Sequence, residues 1–203
     1  MASNSFGFTR AELRRLKALN TPYLIQRFLE DLPYHHANTA WSPRIVLREG
    51  TAHCLEGAIF AAAALRLNGH KPLLWDLEAV RDTDHVLAIY QYDGHWGAIA
   101  KSNFAGLRYR EPVYRSLREL AMSYFDVYYN LLGERTLRAF SRPVDLSRFN
   151  RLDWMTTEKP VWFVAEHLCQ VRHTPLISNA QEKRLTRLDK RAHAAGLTGY
   201  SKH

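Results

Sequence analysis

Apolar residues recur at helical spacing over the first part of the chain. The segment 9–20 begins with Thr9 and has Glu12 three residues later, which is the pattern of a capping box. The segment 21–32 offers Thr21 as a cap and Pro22 at the first helical position, and its apolar side chains share one face. We therefore expect two amphipathic helices, followed by a loop rich in turn formers.

A longer apolar segment, REGTAHCLEGAIFAAAALRLNG over 48–69, predicts a central helix. Gly50 and Thr51 mark its start, and Asn68 and Gly69 mark its end. Because Ala, Leu, Ile and Phe fill most positions between them, the surroundings of this helix must be apolar on most sides. The helix would carry Cys54 in its first turn.

The period then changes to short apolar runs that are typical of strands. Residues 71–80 form the first run, and two further runs flank Asp93-Gly94, a favoured type I′ turn. A two-residue turn at that point makes the numbers of each opposed pair sum to 187. His85 would then face Ser102, or Asn103 if the ladder contains a bulge or a one-residue slip.

The remaining segments, 116–132, 134–141 and 159–171, are predicted to be helical. The order of helices, one central helix, a small antiparallel sheet and further helices predicts the α+β class. We expect one domain over residues 1–180 and a basic C-terminal helix or tail over residues 181–203.

Composition and charge add little to this architecture. The chain has 203 residues and is 46% hydrophobic and 24% charged, as expected for a protein that buries a core. Its net charge is +8, and half of the excess lies in residues 181–203, where six bases stand against two acids. This segment predicts a short polar helix and a frayed, solvated end. Contact with nucleic acid or an anionic surface is the alternative.

Several classes of protein are excluded or disfavoured. No run approaches eighteen apolar residues, so a membrane-spanning helix and a membrane partner are not expected. Residues 1–15 lack the apolar centre of a signal peptide. Cys54 and Cys169 cannot build a disulfide framework and suit a reducing compartment. We therefore expect a cytoplasmic protein, and its oligomeric state is left open.

Cys54 and His85 are the candidates for chemistry. At a helix N-terminus, free N–H groups and the helix dipole favour a thiolate, which is the nucleophile of acyl-transfer enzymes. The alternative for Cys54 is a small buried residue on an apolar helix. His85 could accept the thiol proton and return it to a leaving group. Asp82 and Asp84 nearby would raise its pKa. The alternative is a surface histidine in the acidic loop RDTDH.

A third group would have to orient the imidazole. Ser102 or Asn103, on the neighbouring strand, can serve in that role. Main-chain N–H groups near His53 and Cys54 would bind the oxyanion that forms during acyl transfer.

The order of these residues resembles that of the transglutaminase-like (papain-like) cysteine superfamily. The similar stretches are GTAHCLEGA at 50–58, DHV at 84–86 and DGHWG at 93–97, before Ser102 and Asn103. HCLE is also similar to arylamine N-acetyltransferases, and residues 109–130 are similar to small uncharacterised bacterial members of the superfamily. The resemblance covers roughly residues 20–125.

The resemblance implies a transglutaminase-like fold in which Cys54 and His85 are catalytic. It differs from the family at Ala100, where an Asp often stands, and at Leu55, where many transglutaminases have Trp. We therefore expect a hydrolase or transferase that acts on a peptide or a small amide or acyl substrate without a cofactor. The alternative is a non-catalytic binding module that contacts a partner through its cleft or basic tail.

Other candidate residues are given structural interpretations. Lys101 and Arg108 could line a cleft that selects an acidic substrate, but a solvated strand face fits them better. His35-His36 and His167 with Cys169 lack the paired spacing of a zinc site, so no metal is predicted. Cys169 is assigned to the core.

Overall fold

The computed structural model describes residues 5–201 and has the α+β architecture that the sequence predicts. The helices are α1 (Arg10–Ala18), α2 (Pro22–Asp31), α3 (Pro43–Glu49), α4 (Cys54–Leu67), α5 (Leu117–Phe125), α6 (Trp162–Gln170), α7 (Asn179–Glu182) and α8 (Lys190–Gly196). The strands are β1 (Leu73–Ala79), β2 (His85–Tyr92), β3 (His95–Ile99), β4 (Arg110–Tyr114), β5 (Leu137–Ser141), β6 (Val144–Asp145) and β7 (His173–Pro175). A 3-10 helix spans Leu146–Leu152.

One antiparallel sheet contains all seven strands. Its order is β4-β3-β2-β1-β5-β7, and β6 pairs with β1 beside β5. The sheet is larger than predicted because β4, β5, β6 and β7 add to the three expected strands, and β5 lies in residues 134–141, which have a helical pattern. β5 pairs with β1 on one side and β7 on the other, so tertiary pairing overrides the local helical preference.

The helix caps confirm the predicted starts of the first two helices. Thr9 and Glu12 form the reciprocal hydrogen bonds of a capping box, and Thr21 accepts from the N–H of Leu24. The region after residue 42 differs from the prediction, because Gly50 ends the unpredicted helix α3 in a left-handed conformation. Helix α4 therefore begins three residues after Thr51, with His53 as its N-cap. Helix α5 ends at Phe125, well short of the predicted residue 132.

Helix α4 is the centre of the molecule, as predicted. Every residue from Leu55 to Leu65 is buried, and the helix packs against β2 with α1, α2 and α3 around it. A Cβ atom at Gly57 would lie 2.5 Å from Cβ of Lys101. The absence of a side chain at Gly57 thus lets α4 lie directly against the segment that follows β3.

The β2–β3 hairpin has the predicted turn and register. Asp93 and Gly94 both have positive φ, and the opposed pairs run from Tyr92↔His95 to Ala88↔Ile99, each summing to 187. Beyond that last pair, the side chain of Gln26 satisfies the main chain of Ala100. Its amide donates to the Ala100 carbonyl and accepts from the Ala100 N–H, both at 3.0 Å.

The basic C-terminal segment is bonded to the body of the protein and is not frayed up to Ser201. Arg187 forms an ion pair with Glu134, and the N–H of Leu188 donates to the carbonyl of Gly133. Lys202, counted above in the basic tail, lies outside the described residues. Contact with nucleic acid through this segment stays a prediction. Over residues 5–201, each helix is too short or too polar to cross a bilayer.

Candidate active site

The four residues singled out by the sequence line one pocket. A cavity of about 390 Å³ opens where α4 and β2 begin, and its wall includes Cys54, His85, Ser102 and Asn103. Cys54 is the first residue of α4 and His85 is the first residue of β2. The fold thus brings together side chains that are up to 49 positions apart in the sequence.

The chain before α4 is held by a short parallel bridge between Tyr34 and Ala52. The N–H of His35 donates to the Ala52 carbonyl at 3.1 Å, and the N–H of Ala52 donates to the Pro33 carbonyl at 3.4 Å. This pairing places the Tyr34 ring in the pocket wall beside Cys54.

A buried carboxylate, Glu56, ties this loop to the start of α4. Its Oε1 accepts from the Thr39 hydroxyl at 2.5 Å and the Trp41 N–H at 3.1 Å. Its Oε2 accepts from Nδ1 of His35 at 3.0 Å and the N–H of His53 at 3.2 Å. The Glu56 side chain lies fully inside the protein.

The same cluster contains side chains of metal-binding type. Ligand atoms of His35, His53 and Glu56 lie within 4.8 Å of one another. However, each carboxylate oxygen already accepts two hydrogen bonds, and Nε2 of His53 donates to the Thr39 carbonyl at 2.8 Å. We therefore interpret the cluster as a hydrogen-bond network that organises the N-terminus of α4.

The Cys54 thiol is half-buried at the pocket wall. Burial raises its pKa, and hydrogen bonds from the main chain of Val86 and Leu55 offset this only in part. The negative charge of Asp76 raises the pKa further. The expected thiolate is therefore wrong for the resting protein, because desolvation of the charged sulfur outweighs the attraction of the helix N-terminus.

His85 is fixed by a main-chain carbonyl. Its Nε2 donates to the carbonyl of Leu107 at 2.8 Å, which leaves the lone pair of Nδ1 available for a proton. Burial, aided by the positive charge of Arg110, lowers the pKa of His85 to about 4. The expectation that neighbouring aspartates raise this pKa is therefore wrong. In the described part of the chain, no hydrogen bond joins the Cys54 thiol to the His85 ring.

Ser102 and Asn103 lie in the pocket wall, but their side chains form hydrogen bonds with groups other than His85. The Ser102 hydroxyl accepts from the N–H of Phe104 at 3.0 Å. The Asn103 amide pairs with the main chain of Ser201. The observed orienting contact of His85 comes from Leu107, which the sequence could not indicate because any residue type supplies a carbonyl there.

Two further assignments change. Lys101 is buried, and its Nζ donates to the carbonyls of Leu29 and Leu32 at the end of α2, so it lies neither in a substrate cleft nor on a solvated face. Burial lowers its pKa to about 8. Cys169 is exposed and does not belong to the core.

Comparison of the chain with protein-family models and with curated proteins finds no match. The chemistry of the pocket is therefore argued from its own geometry.

The Glu56 network generates a prediction about stability. Removing the carboxylate by Glu56→Ala leaves several buried donors without an acceptor, and we expect a loss of about 3 kcal/mol in the free energy of unfolding. Urea denaturation followed by circular dichroism measures this loss. The control is Glu49→Ala, which removes an exposed ion pair with Arg48 and should change stability by less than about 1 kcal/mol. Equally small losses of unfolding free energy in both variants would show that the hydrogen bonds of Glu56 do not stabilise the fold.

Asp76 generates a prediction about pH. It lies on β1 opposite Val86, and its Oδ2 is 3.0 Å from Nε2 of His173. Burial raises its pKa to about 6 from the ordinary value of 3.8. The folded state therefore holds this proton more tightly than the unfolded state, and the contribution of Asp76 to stability falls as pH rises from about 4 to about 6.

We expect Asp76→Asn to lack this dependence. Between pH 4 and pH 7, the stability of the variant relative to the natural chain should rise by about 2 kcal/mol. Urea unfolding of both chains at a series of pH values measures the difference. Asp126→Asn is the control, since 82% of that side chain is exposed. A flat difference for Asp76→Asn would show that its carboxyl titrates normally.

Proposed function

We propose that this protein is a cysteine-dependent acyl-transfer enzyme of transglutaminase-like architecture. The observation that carries the proposal is the shared pocket of Cys54 and His85, with the His85 ring held through Nε2 so that Nδ1 can act as a base. The order of a Cys at the start of a buried helix and a His at the start of the first hairpin strand supports the same architecture.

The proposed reaction begins from a neutral thiol and a neutral imidazole. Nδ1 of His85 takes the Cys54 proton while the sulfur attacks the carbonyl carbon of an amide or ester. The tetrahedral intermediate then collapses, its C–N or C–O bond breaks, and the imidazolium gives the proton to the leaving group. Water or an amine then attacks the carbonyl carbon of the thioester and gives its proton to Nδ1 of His85. The C–S bond breaks and the imidazolium returns the proton to the Cys54 sulfur, which makes the protein a hydrolase or a transferase respectively. The thiol and the ring must move closer when substrate binds.

The oxyanion requires two donors near the sulfur. The N–H of His53 is engaged by Glu56, so it cannot serve as the sequence suggested. The main-chain N–H of Cys54 instead lies near the Tyr34 hydroxyl, where it opposes the rise that burial causes in the pKa of Tyr34. A carbonyl oxygen inserted between these two groups would accept from both, which assigns Tyr34 to oxyanion binding.

The rival function is a non-catalytic binding module. Two observations favour it: the raised pKa of Cys54 and lowered pKa of His85 keep both groups neutral, and no hydrogen bond joins them among the described residues. If the protein is a binding module, replacing Cys54 or His85 should not change the rate of acyl transfer from an activated ester.

A small activated ester separates the two functions. With p-nitrophenyl acetate, intact-mass analysis should detect an acetyl group on Cys54, while exposed Cys169 reports the intrinsic reactivity of a thiol. His85→Gln can retain a donor to Leu107 but lacks the base, and we expect it to slow acetylation of Cys54 by about 10²-fold or more. His95→Gln, in the hairpin turn, is the control. Equal acetylation rates in the natural chain and His85→Gln would exclude general-base catalysis.

The Tyr34 assignment generates a separate prediction. Tyr34→Phe should lower the rate of Cys54 acetylation by about 10²-fold, since one oxyanion donor is lost. Alkylation of Cys54 by iodoacetamide passes through no oxyanion, so its rate should change little. An equal decrease in both reactions would show that Tyr34 affects only the thiol.

A further inference from the structure

The C-terminal segment, Gly196–Ser201, runs beside the Cys54 pocket and contacts its wall. Tyr200 forms part of the pocket wall together with Cys54 and His85. Its ring packs edge-on against Phe104, with centroids 5.1 Å apart. The segment therefore borders the pocket that holds the side chains on which the proposed reaction depends.

The side chain of Asn103 binds the main chain of this segment. The Asn103 amide nitrogen donates to the Ser201 carbonyl, and its oxygen accepts from the Ser201 N–H, both at 2.8 Å. An amide that satisfies both main-chain groups of one residue can bind any residue except proline in that position. The Ser201 hydroxyl adds a weaker contact, 3.3 Å from Nε2 of His36.

The other end of the segment depends on a close approach. The carbonyl of Gly196 accepts from the N–H of Ala105 at 3.2 Å. A Cβ atom at Gly196 would lie 1.5 Å from the Tyr129 hydroxyl, which is buried. Only glycine allows the segment to lie in this position, so a side chain at residue 196 would displace it.

We propose that the mouth of the Cys54 pocket is a subsite for a polypeptide main chain, and that residues 196–201 of the same chain fill it at rest and shield the thiol. Asn103 is the positioning residue of this subsite. A polypeptide substrate would enter by replacing the segment. The shielding is independent of catalysis, whereas the entry of a substrate rests on the proposed function.

The shielding is tested by the alkylation of Cys54 with iodoacetamide, measured by peptide mapping against Cys169 in the same molecule. We expect Gly196→Val to raise the Cys54 rate relative to Cys169 by about fivefold or more, the change that corresponds to losing one or two hydrogen bonds. Ala195→Val, which adds similar bulk at an exposed neighbour, should leave the ratio unchanged.

Main-chain binding is tested at Ser201, where substitutions carry little risk to folding. Ser201→Pro removes the N–H that donates to Asn103 and should raise the Cys54 ratio as Gly196→Val does. Ser201→Ala keeps the N–H and should leave the ratio near that of the natural chain. Equal effects of Pro and Ala would overturn the role of Asn103.

The subsite is tested by adding the segment back. A blocked peptide with the sequence of residues 196–201, in large excess, should slow Cys54 alkylation in full-length Gly196→Val, and a scrambled peptide ending in proline should not. Limited proteolysis after Arg191 confirms that the segment is released in the variant. A released segment with an unchanged Cys54 ratio would overturn the shielding. Because alkylation involves no acyl carbonyl and no oxyanion, this result is distinct from a failure of acyl transfer.

Discussion

A single carboxylate at the N-terminus of α4 determines where the pocket residues stand. Glu56 accepts hydrogen bonds from Thr39, Trp41, His35 and His53 without any contact with solvent. A buried charge of this kind is tolerated only when nearly all of its hydrogen-bonding capacity is used. The loop before α3 is consequently fixed relative to the start of α4. The positions of Tyr34, on that loop, and of Cys54, at the start of α4, follow from this constraint.

The features that the sequence predicts well are local. Thr9 with Glu12, Thr21 with Pro22, and Asp93 with Gly94 each satisfy backbone groups within a few residues, so their conformations depend little on the rest of the fold. The register that follows from the hairpin turn also predicted that Ser102 or Asn103 would lie near His85, and all three residues line the pocket. Cys54 and His85 could be placed near each other in advance because each was expected near the start of its helix or strand, although α4 begins three residues later than Thr51 suggested.

The features that the sequence could not indicate depend on distant partners. Residues 137–141 become a strand only because β1 and β7 lie on either side. The carbonyl of Leu107 and the burial of the Cys54 sulfur have no signature in residue type. For this reason the pKa values of Cys54 and His85 differ from expectation, although both residues line the pocket. A helix N-terminus can be recognised in a sequence, whereas the desolvation that opposes its effect on the thiol cannot.

The point at which the β2–β3 ladder stops has a consequence for the size of the pocket. Pairing ends at Ala88↔Ile99, and Gln26 then takes over the main chain of Ala100, so His85 at the start of β2 faces a gap in the sheet. One more residue pair between β2 and β3 would fill part of that gap, and one fewer pair would widen it. The size of the cavity thus depends on the number of residue pairs in the ladder. The ladder ends where the Gln26 side chain, from helix α2, forms the hydrogen bonds that a β2 residue would otherwise form with Ala100.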